Sequence, residues 1–339
     1  MKKFPVTYDD VTSVENLLSA WQEFVKGKRG KRDVQEFQLC LMDNVLSLHR
    51  DLVSGAYRHG PYHAFNISDP KPRSIHKATV RDRLLHHAIY RKLYPPYDRT
   101  FIADSFSSRN GKGTHRALER FRSMCFDVSN NHTKTIWVLK CDVKKFFASV
   151  DHNVLLALLR RRITDARILT LLENVIGSFY TGAGGVGNIT HMRDVTSSRS
   201  GLPLGNLTSQ LLANVYLNEL DQHVKRTLKV RHYIRYADDF VVLHHDKLAL
   251  LGLLRYIVVF LREQLRLELH TNKVSIKTLA SGVDFLGWVH FPDHCVLRTA
   301  TKRRMLKHVR KHQMDEMVQS YLGLLRYGSA RKLERLVVQ

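Results

Sequence analysis

The sequence predicts an α+β fold, and three observations carry that prediction. Two segments rich in β-branched and aromatic residues, TIWVLKCDV (135–143) and HYIRYADDFVVLHH (232–245), have the composition of strands. Between them Leu212, Tyr216, Leu220, Val224 and Leu228 recur at i, i+4 and mark a helix over about 208–229. Strands and helices do not alternate with the regular βαβ period of a doubly wound sheet.

The elements follow in order. Val14, Leu17, Leu18, Trp21 and Val25 define a first helix, closed by the basic turn KGKRGKR (26–32). Leu39, Met42, Leu46 and Val53 form the apolar face of a second helix. DPKPR (69–73) is loop or extended chain, because prolines flank Lys71. Residues 80–93 resume as helix. GAGGVGN (182–188) reads as a flexible connection; neither it nor GKGT (111–114) matches a phosphate loop of the form GxxxxGK[ST]. Leu248 to Leu261 is the most apolar stretch, interrupted by Arg255 and shorter than the roughly 20 residues of a spanning helix, so it is expected to be a core helix. The very basic TKRRMLKHVRKHQ (301–313) ends the pattern as a helix.

Charge narrows the function. Among 339 residues, 54 Lys+Arg face 31 Asp+Glu, a net charge of +23, while 44% hydrophobic residues exclude a disordered basic tail. Such a surplus predicts a polyanionic partner, most simply nucleic acid. A membrane partner has no supporting segment. The start MKKFPVTYDD lacks the apolar run of a signal peptide, and Cys40, Cys125, Cys141 and Cys295 form no CxxC pair, so reduced thiols in the cytoplasm are expected.

Carboxylates carry the candidate chemistry. Asp142 closes an apolar strand, where an unpartnered charge is unfavourable. Asp238 and Asp239 lie between two apolar arms, which reads either as a plain turn or as a site. Neighbouring strands lie ~4.8 Å apart, so a hairpin beside 135–143 brings Asp142 next to the Asp238–Asp239 tip. Successive strand residues face opposite ways, so both serve one site only if the tip bends. Converging carboxylates suit divalent cations such as magnesium, and a pair of ions suits phosphoryl transfer.

Seven blocks in order, from about residue 15 to the end, resemble a reverse transcriptase: DPKPRSIHKATVRDRLLHHAI (69–89), DSFSSRNGKGTHRAL (104–118), LKCDVKKFFASVDH (139–152), GLPLGNLTSQLLANVYLNELD (201–221), YADD (236–239), LELHTNKVSI (267–276) and VDFLGW (283–288). The resemblance implies a right-hand polymerase: a helical N-terminal region (1–60), fingers (61–135, returning at about 152–200), a palm with an antiparallel sheet (136–290) and a short basic helical thumb (291–339). It implies that Asp142, Asp238 and Asp239, assisted by the Val143 carbonyl, hold two Mg2+ ions, with Mn2+ as a substitute. It places Lys71 and Arg73 at the incoming triphosphate, Phe147 against a ribose 2′-hydroxyl, and Lys273 at the pyrophosphate leaving group. Template RNA, cDNA and dNTPs are the implied partners. Arg81, Arg83, Arg109, Lys112, Lys302, Arg303, Arg304, Lys307 and Arg310 are candidate phosphate contacts.

The nucleotide-pocket block departs from the usual pattern. Leu204-Gly205 stands where most members have Gln-Gly, and Gln210 replaces a proline. This GxxxSQ form resembles the enzymes of diversity-generating retroelements, bacterial or phage-encoded, which copy a template RNA with errors opposite adenine and work with a small basic accessory protein that forms a ring-shaped oligomer. An antiphage-defence reverse transcriptase copying a fixed noncoding RNA is the alternative within the class. A catalytically silent RNA-binding scaffold is the alternative outside it, although such a scaffold has no use for Asp142, Asp238, Asp239 and Phe147 together. His308 and His312 sit in a basic run and are expected to be solvated rather than zinc ligands.

Overall fold

The strand Trp137–Asp142 lies inside a four-stranded antiparallel sheet of order Tyr233–Tyr236, Asp239–His244, Trp137–Asp142, Ser275–Thr278. Its register sets Asp142 opposite Asp239 and Trp137 opposite His244. A three-stranded antiparallel sheet follows, from Val283–Phe285, Trp288–His290 and Cys295–Leu297. This computed structural model describes residues 3–68, 72–182, 185–187, 199–311, 315–328 and 330–338, so Lys71, part of the glycine-rich stretch 182–188, and His312 lie outside the described residues. The α+β class and the helical N-terminal region are as expected. No helix among the described residues is long and apolar enough to cross a membrane.

Both sheets belong to one of two units, built from Ala103–Val143, Gln222–Val259 and Leu269–Gln339. The helix Thr114–Val128 turns Leu118, Phe121 and Met124 into a core shared with Val138, Ile234, Val241, Phe285 and Trp288. Three terminal helices, Thr299–Lys311, Asp315–Leu325 and Arg331–Val338, close that core with Met305, Leu325 and Val337. Gly328 admits them: a Cβ there would stand 2.1 Å from the Trp288 ring.

The other unit comprises Met1–Ile102, Lys144–Asp221 and Phe260–Glu268 and is mainly helical. Ser13 caps Val14–Phe24 by accepting the Asn16 N–H, and Leu17, Ala20, Trp21 and Phe24 form its buried stripe. The expected second helix is instead Arg32–Leu39 followed by Leu41–Val53. Its buried face is also different. Val45, Leu48 and Leu52 are enclosed, whereas Leu39, Met42, Leu46 and Val53 are exposed. The two stripes interleave on one helix at the same period, and packing selects the better one. The apolar run at 248–261 is corrected in the same way. Within Lys247–Leu265, Leu250, Ile257 and Leu261 are buried, but Leu248, Leu251, Tyr256, Val258 and Val259 are exposed.

Residues 57–86 of this unit hold a buried polar hub. The Asp82 carboxylate accepts from the Tyr57 hydroxyl (2.8 Å), the Gly60 N–H (3.1 Å) and the Thr79 hydroxyl (2.6 Å), and Thr79 in turn caps the helix Val80–Asp98 through the Asp82 N–H. Removing that carboxylate strands three donors. We predict that Asp82→Ala lowers stability by roughly 3 kcal/mol, read as a shifted denaturant midpoint. A variant within about 0.5 kcal/mol of the parent would refute the role of the hub.

Candidate active site

The arrangement at the end of the four-stranded sheet begins with a single charged residue in an apolar strand. Arg235 is completely buried. Its guanidinium donates to the Ala237 carbonyl (3.0 Å) and to the Ser105 hydroxyl (3.0 Å). Its backbone N–H donates to the Asp104 carbonyl (2.9 Å), and its carbonyl accepts from the Phe106 N–H (3.0 Å). Tyr236 and Asp239 then pair across a two-residue turn. Ala237 takes φ +53°, the left-handed region an alanine enters only under constraint. The next carbonyl, of Asp238, accepts the Val143 N–H (3.3 Å). Two tethers on consecutive carbonyls therefore bend the tip toward Asp142.

Electrostatics follow from that geometry. Asp142 is buried, and its Oδ1 accepts from the Lys273 ammonium at 2.7 Å. The Asp239 carboxyl is pushed up to about 7, first by burial and further by a hydrogen bond to Asp142 and by the charges of Asp142 and Asp238; Lys140 opposes the shift. Lys140 also ties the two sheets together by donating to the Asp284 carbonyl (2.8 Å). Val143 is buried and bridges to Leu269. Among the described residues no three His, Cys, Asp or Glu groups form a ready-made cation cage. The donor set nevertheless fits a hard cation: these converging carboxylates carry more negative charge than Lys273 and Lys140 offset, and a divalent ion would supply the remainder.

The sequence places this arrangement in a known class. Residues 68–290 match the family described as reverse transcriptase (RNA-dependent DNA polymerase), well over half of the chain. The chain belongs to the reverse transcriptase family. It is 28% identical to Protein YkfC of Escherichia coli strain K12, over 71% of this chain and 69% of that protein. Identity to the group II intron-encoded protein LtrA of Lactococcus lactis subsp. cremoris is 22%, over 83% of this chain but 54% of LtrA, so the chain spans about half that relative's length. Among solved structures, telomerase from Candida albicans with a TWJ fragment of telomeric RNA aligns at a TM-score of 0.51 and 12% identity, covering 83% of this chain and 55% of that one. That likeness speaks for the fold.

In this reverse transcriptase the residues expected at the nucleotide fall in the helical unit. Arg73 is exposed and opens the strand Arg73–Lys77, which pairs with His63–Ile67. The Leu204 carbonyl accepts the His76 N–H (3.0 Å), and the buried Asn206 amide donates to the His76 carbonyl (3.0 Å), so Leu204–Asn206 is strapped to that hairpin. Gly205 has φ +105°, and a Cβ there would lie 2.8 Å from Ile75. Leu204 is half-buried, while Gln210 is exposed in the first turn of Leu207–Gln222. Phe146 is in the core against Tyr216; Phe147 is half-buried, and its carbonyl accepts the Leu202 N–H (2.6 Å).

The basic residues separate into two groups. Arg81 and Arg83 pair with Asp51 and Asp33, and Arg109 and Lys112 donate to the Ser105 and Ala103 carbonyls, so these side chains are engaged within the fold. Lys302, Arg303, Lys307 and Arg310 are exposed on Thr299–Lys311, with Arg304 half-exposed, whereas Met305 and Val309 of the same helix are buried. His308 meets the Tyr321 hydroxyl (3.2 Å). Sequence reasoning missed Arg235, Lys140, His76 and Asn206. Only Arg235 left a trace, as the lone charge in YIRY.

A pH signature follows. The folded chain keeps the Asp239 proton up to about 7, whereas the unfolded chain releases it near ~4, so this group's contribution to stability falls as pH rises through that window. We predict that, without divalent cations, Asp239→Asn gains in melting temperature relative to the parent from pH 5 to pH 8. Parallel curves would refute the crowding. A second prediction concerns Gly205→Ala, which should lower stability by roughly 2 kcal/mol in denaturant titrations.

Proposed function

We propose that the chain is an RNA-directed DNA polymerase that extends a primer on a structured template RNA. The observation that carries this reading is the register Asp142–Asp239, with Asp238 bent to the same end of the sheet, inside a family match. Asp142, Asp238 and Asp239, with the Val143 carbonyl, are the groups that would hold two divalent cations, magnesium in the first instance. When bound, such ions activate a primer 3′-hydroxyl and neutralise charge on the departing pyrophosphate. Lys273, held on Asp142, is assigned the proton that the pyrophosphate takes up. Arg73, with Lys71, grips the triphosphate, and the Phe147 ring excludes a 2′-hydroxyl.

In this reading residues 61–135 and about 152–200 act as fingers, 136–290 as palm and 291–339 as a short thumb after the helical region 1–60. In the same reading the exposed basic face of Thr299–Lys311, a structured RNA and a small basic accessory oligomer in a bacterial cytoplasm hold the nucleic acid. The finer assignment, to a diversity-generating retroelement, is supported by Leu204 and Gln210. An apolar Leu204 cannot offer the polar contact of a glutamine, leaving discrimination to base-pair shape.

The test is primer extension by the full chain on a defined RNA with magnesium and dNTPs. Asp142→Asn and Asp238→Asn should each lower extension by at least about 1,000-fold while RNA binding persists; extension equal to the parent's would sink the polymerase reading. Sequencing the product tests the finer one. Errors should concentrate opposite adenine and decline in Leu204→Gln. An unchanged spectrum removes the role given to Leu204, and faithful copying by the parent favours the defence enzyme.

A further inference from the structure

At the far end of the strand Asp239–His244, five residues and roughly 17 Å from Asp239, the same unit contains a pocket of about 670 Å3. That volume suits a small organic group. Its walls carry Lys229, Arg231, His232, His244, His245 and Tyr256, and among the described residues no carboxylate lines it. Leu243 and Leu253 contribute apolar surface. His244 and His245 stack at 4.3 Å between ring centroids, 25° from parallel. Tyr256 is 64% exposed, a large ring left open to solvent on an otherwise partly buried helix.

The loop that forms one wall is held in place. A π-helical turn, His223–Thr227, ends the preceding helix, and Lys229 follows at φ +53°. The Lys225 ammonium donates to the Arg231 carbonyl (2.7 Å), and Val230 is buried. Departures of both kinds tend to mark functional sites rather than random loops. The loop presents Lys229 and Arg231 outward, and among the described residues neither forms an ion pair. His232 is held below its usual range by burial and by Arg231, with Asp127 opposing, so near neutrality its ring is uncharged. Cations beside open rings over an apolar floor are the recognition chemistry of an unpaired nucleotide: the rings stack on the base and the cations meet its phosphates. An acidic protein segment would use the cations but leave the stacking surfaces idle.

We propose that this pocket receives one unpaired nucleotide of the template RNA and anchors that strand away from the carboxylate end of the sheet. The choice of RNA rests on the polymerase reading, in which the strand left single-stranded is the template.

The experiment uses the full chain and fluorescein-labelled hexaadenylate, followed by anisotropy at physiological ionic strength. Tyr256→Ala should weaken binding about 10-fold, Tyr256→Phe should stay within about 2-fold of the parent, and Arg231→Ala should weaken it about 5-fold and lower the salt slope by about 1. Both side chains are exposed, so the variants should melt with the parent, which separates lost binding from lost folding. Unchanged hexaadenylate affinity in Tyr256→Ala overturns the proposal. So does equal, Tyr256-dependent binding of hexadeoxyadenylate, or Tyr256-dependent capture of a glutamate-rich peptide without any effect on hexaadenylate. Asp239→Asn should bind hexaadenylate normally, which keeps this result separate from failure of the polymerase reading.

Discussion

The hairpin that carries Asp238 and Asp239 depends on one buried guanidinium. Taking a charge out of water costs several kcal/mol unless its donors are met, so Arg235 is stable only in the conformation that satisfies them. That conformation aims it at the Ala237 carbonyl and the Ser105 hydroxyl. The turn cannot relax without orphaning a buried donor, and this holds Ala237 at positive φ. Register across Trp137–Asp142 and the facing of Asp142 with Asp239 then follow from a turn that has no alternative geometry. Lysine would not replace this residue, because a point ammonium lacks the planar fork that spans two acceptors.

Downstream of that constraint lies an apparent conflict. A chain with net charge +23 places carboxylates side by side, and one of them retains a proton near neutrality. The global field does not relieve the local crowding because burial weakens the solvation of each carboxylate before distant cations can compensate. Lys273 and Lys140 relieve part of it at close range. Elsewhere the positive charge is divided. Some is bound internally, as at Arg83–Asp33 and Arg81–Asp51, and some is displayed on the basic face of Thr299–Lys311. Net charge alone therefore overstates the surface available to a polyanion.

Which parts were legible in the sequence follows the range of the interactions. The sheet neighbours were legible because apolar arms on both sides of Asp238–Asp239 need a partner strand, and the strand ending in Asp142 is the one of matching character. The helix from about Leu207 was legible from a single i, i+4 stripe: Leu212, Tyr216 and Leu220 are buried on it, and Val224 is buried in the π-helical turn that follows. On Leu41–Val53 two stripes compete, and periodicity cannot say which one meets a neighbour. The strap from His76 to Leu204 and Asn206 joins segments well over a hundred residues apart through one backbone pair and one Asn206 side-chain amide, and nothing local to either segment marks that pairing. The roles of Arg73, Phe147 and Leu204 came from family resemblance alone.

The central strand has a further consequence, for the order in which the chain is made. Trp137–Asp142 is complete about a hundred residues before its neighbour Asp239–His244 exists, and its other neighbour, Ser275–Thr278, is later still. At roughly 5–20 residues per second, the nascent strand waits several seconds with both edges unpaired. Val138, Leu139 and Cys141 make it a sticky edge in that interval. Lys140 and Asp142 then serve a second purpose, as the charges within the strand that discourage it from pairing with another copy before its own partners emerge.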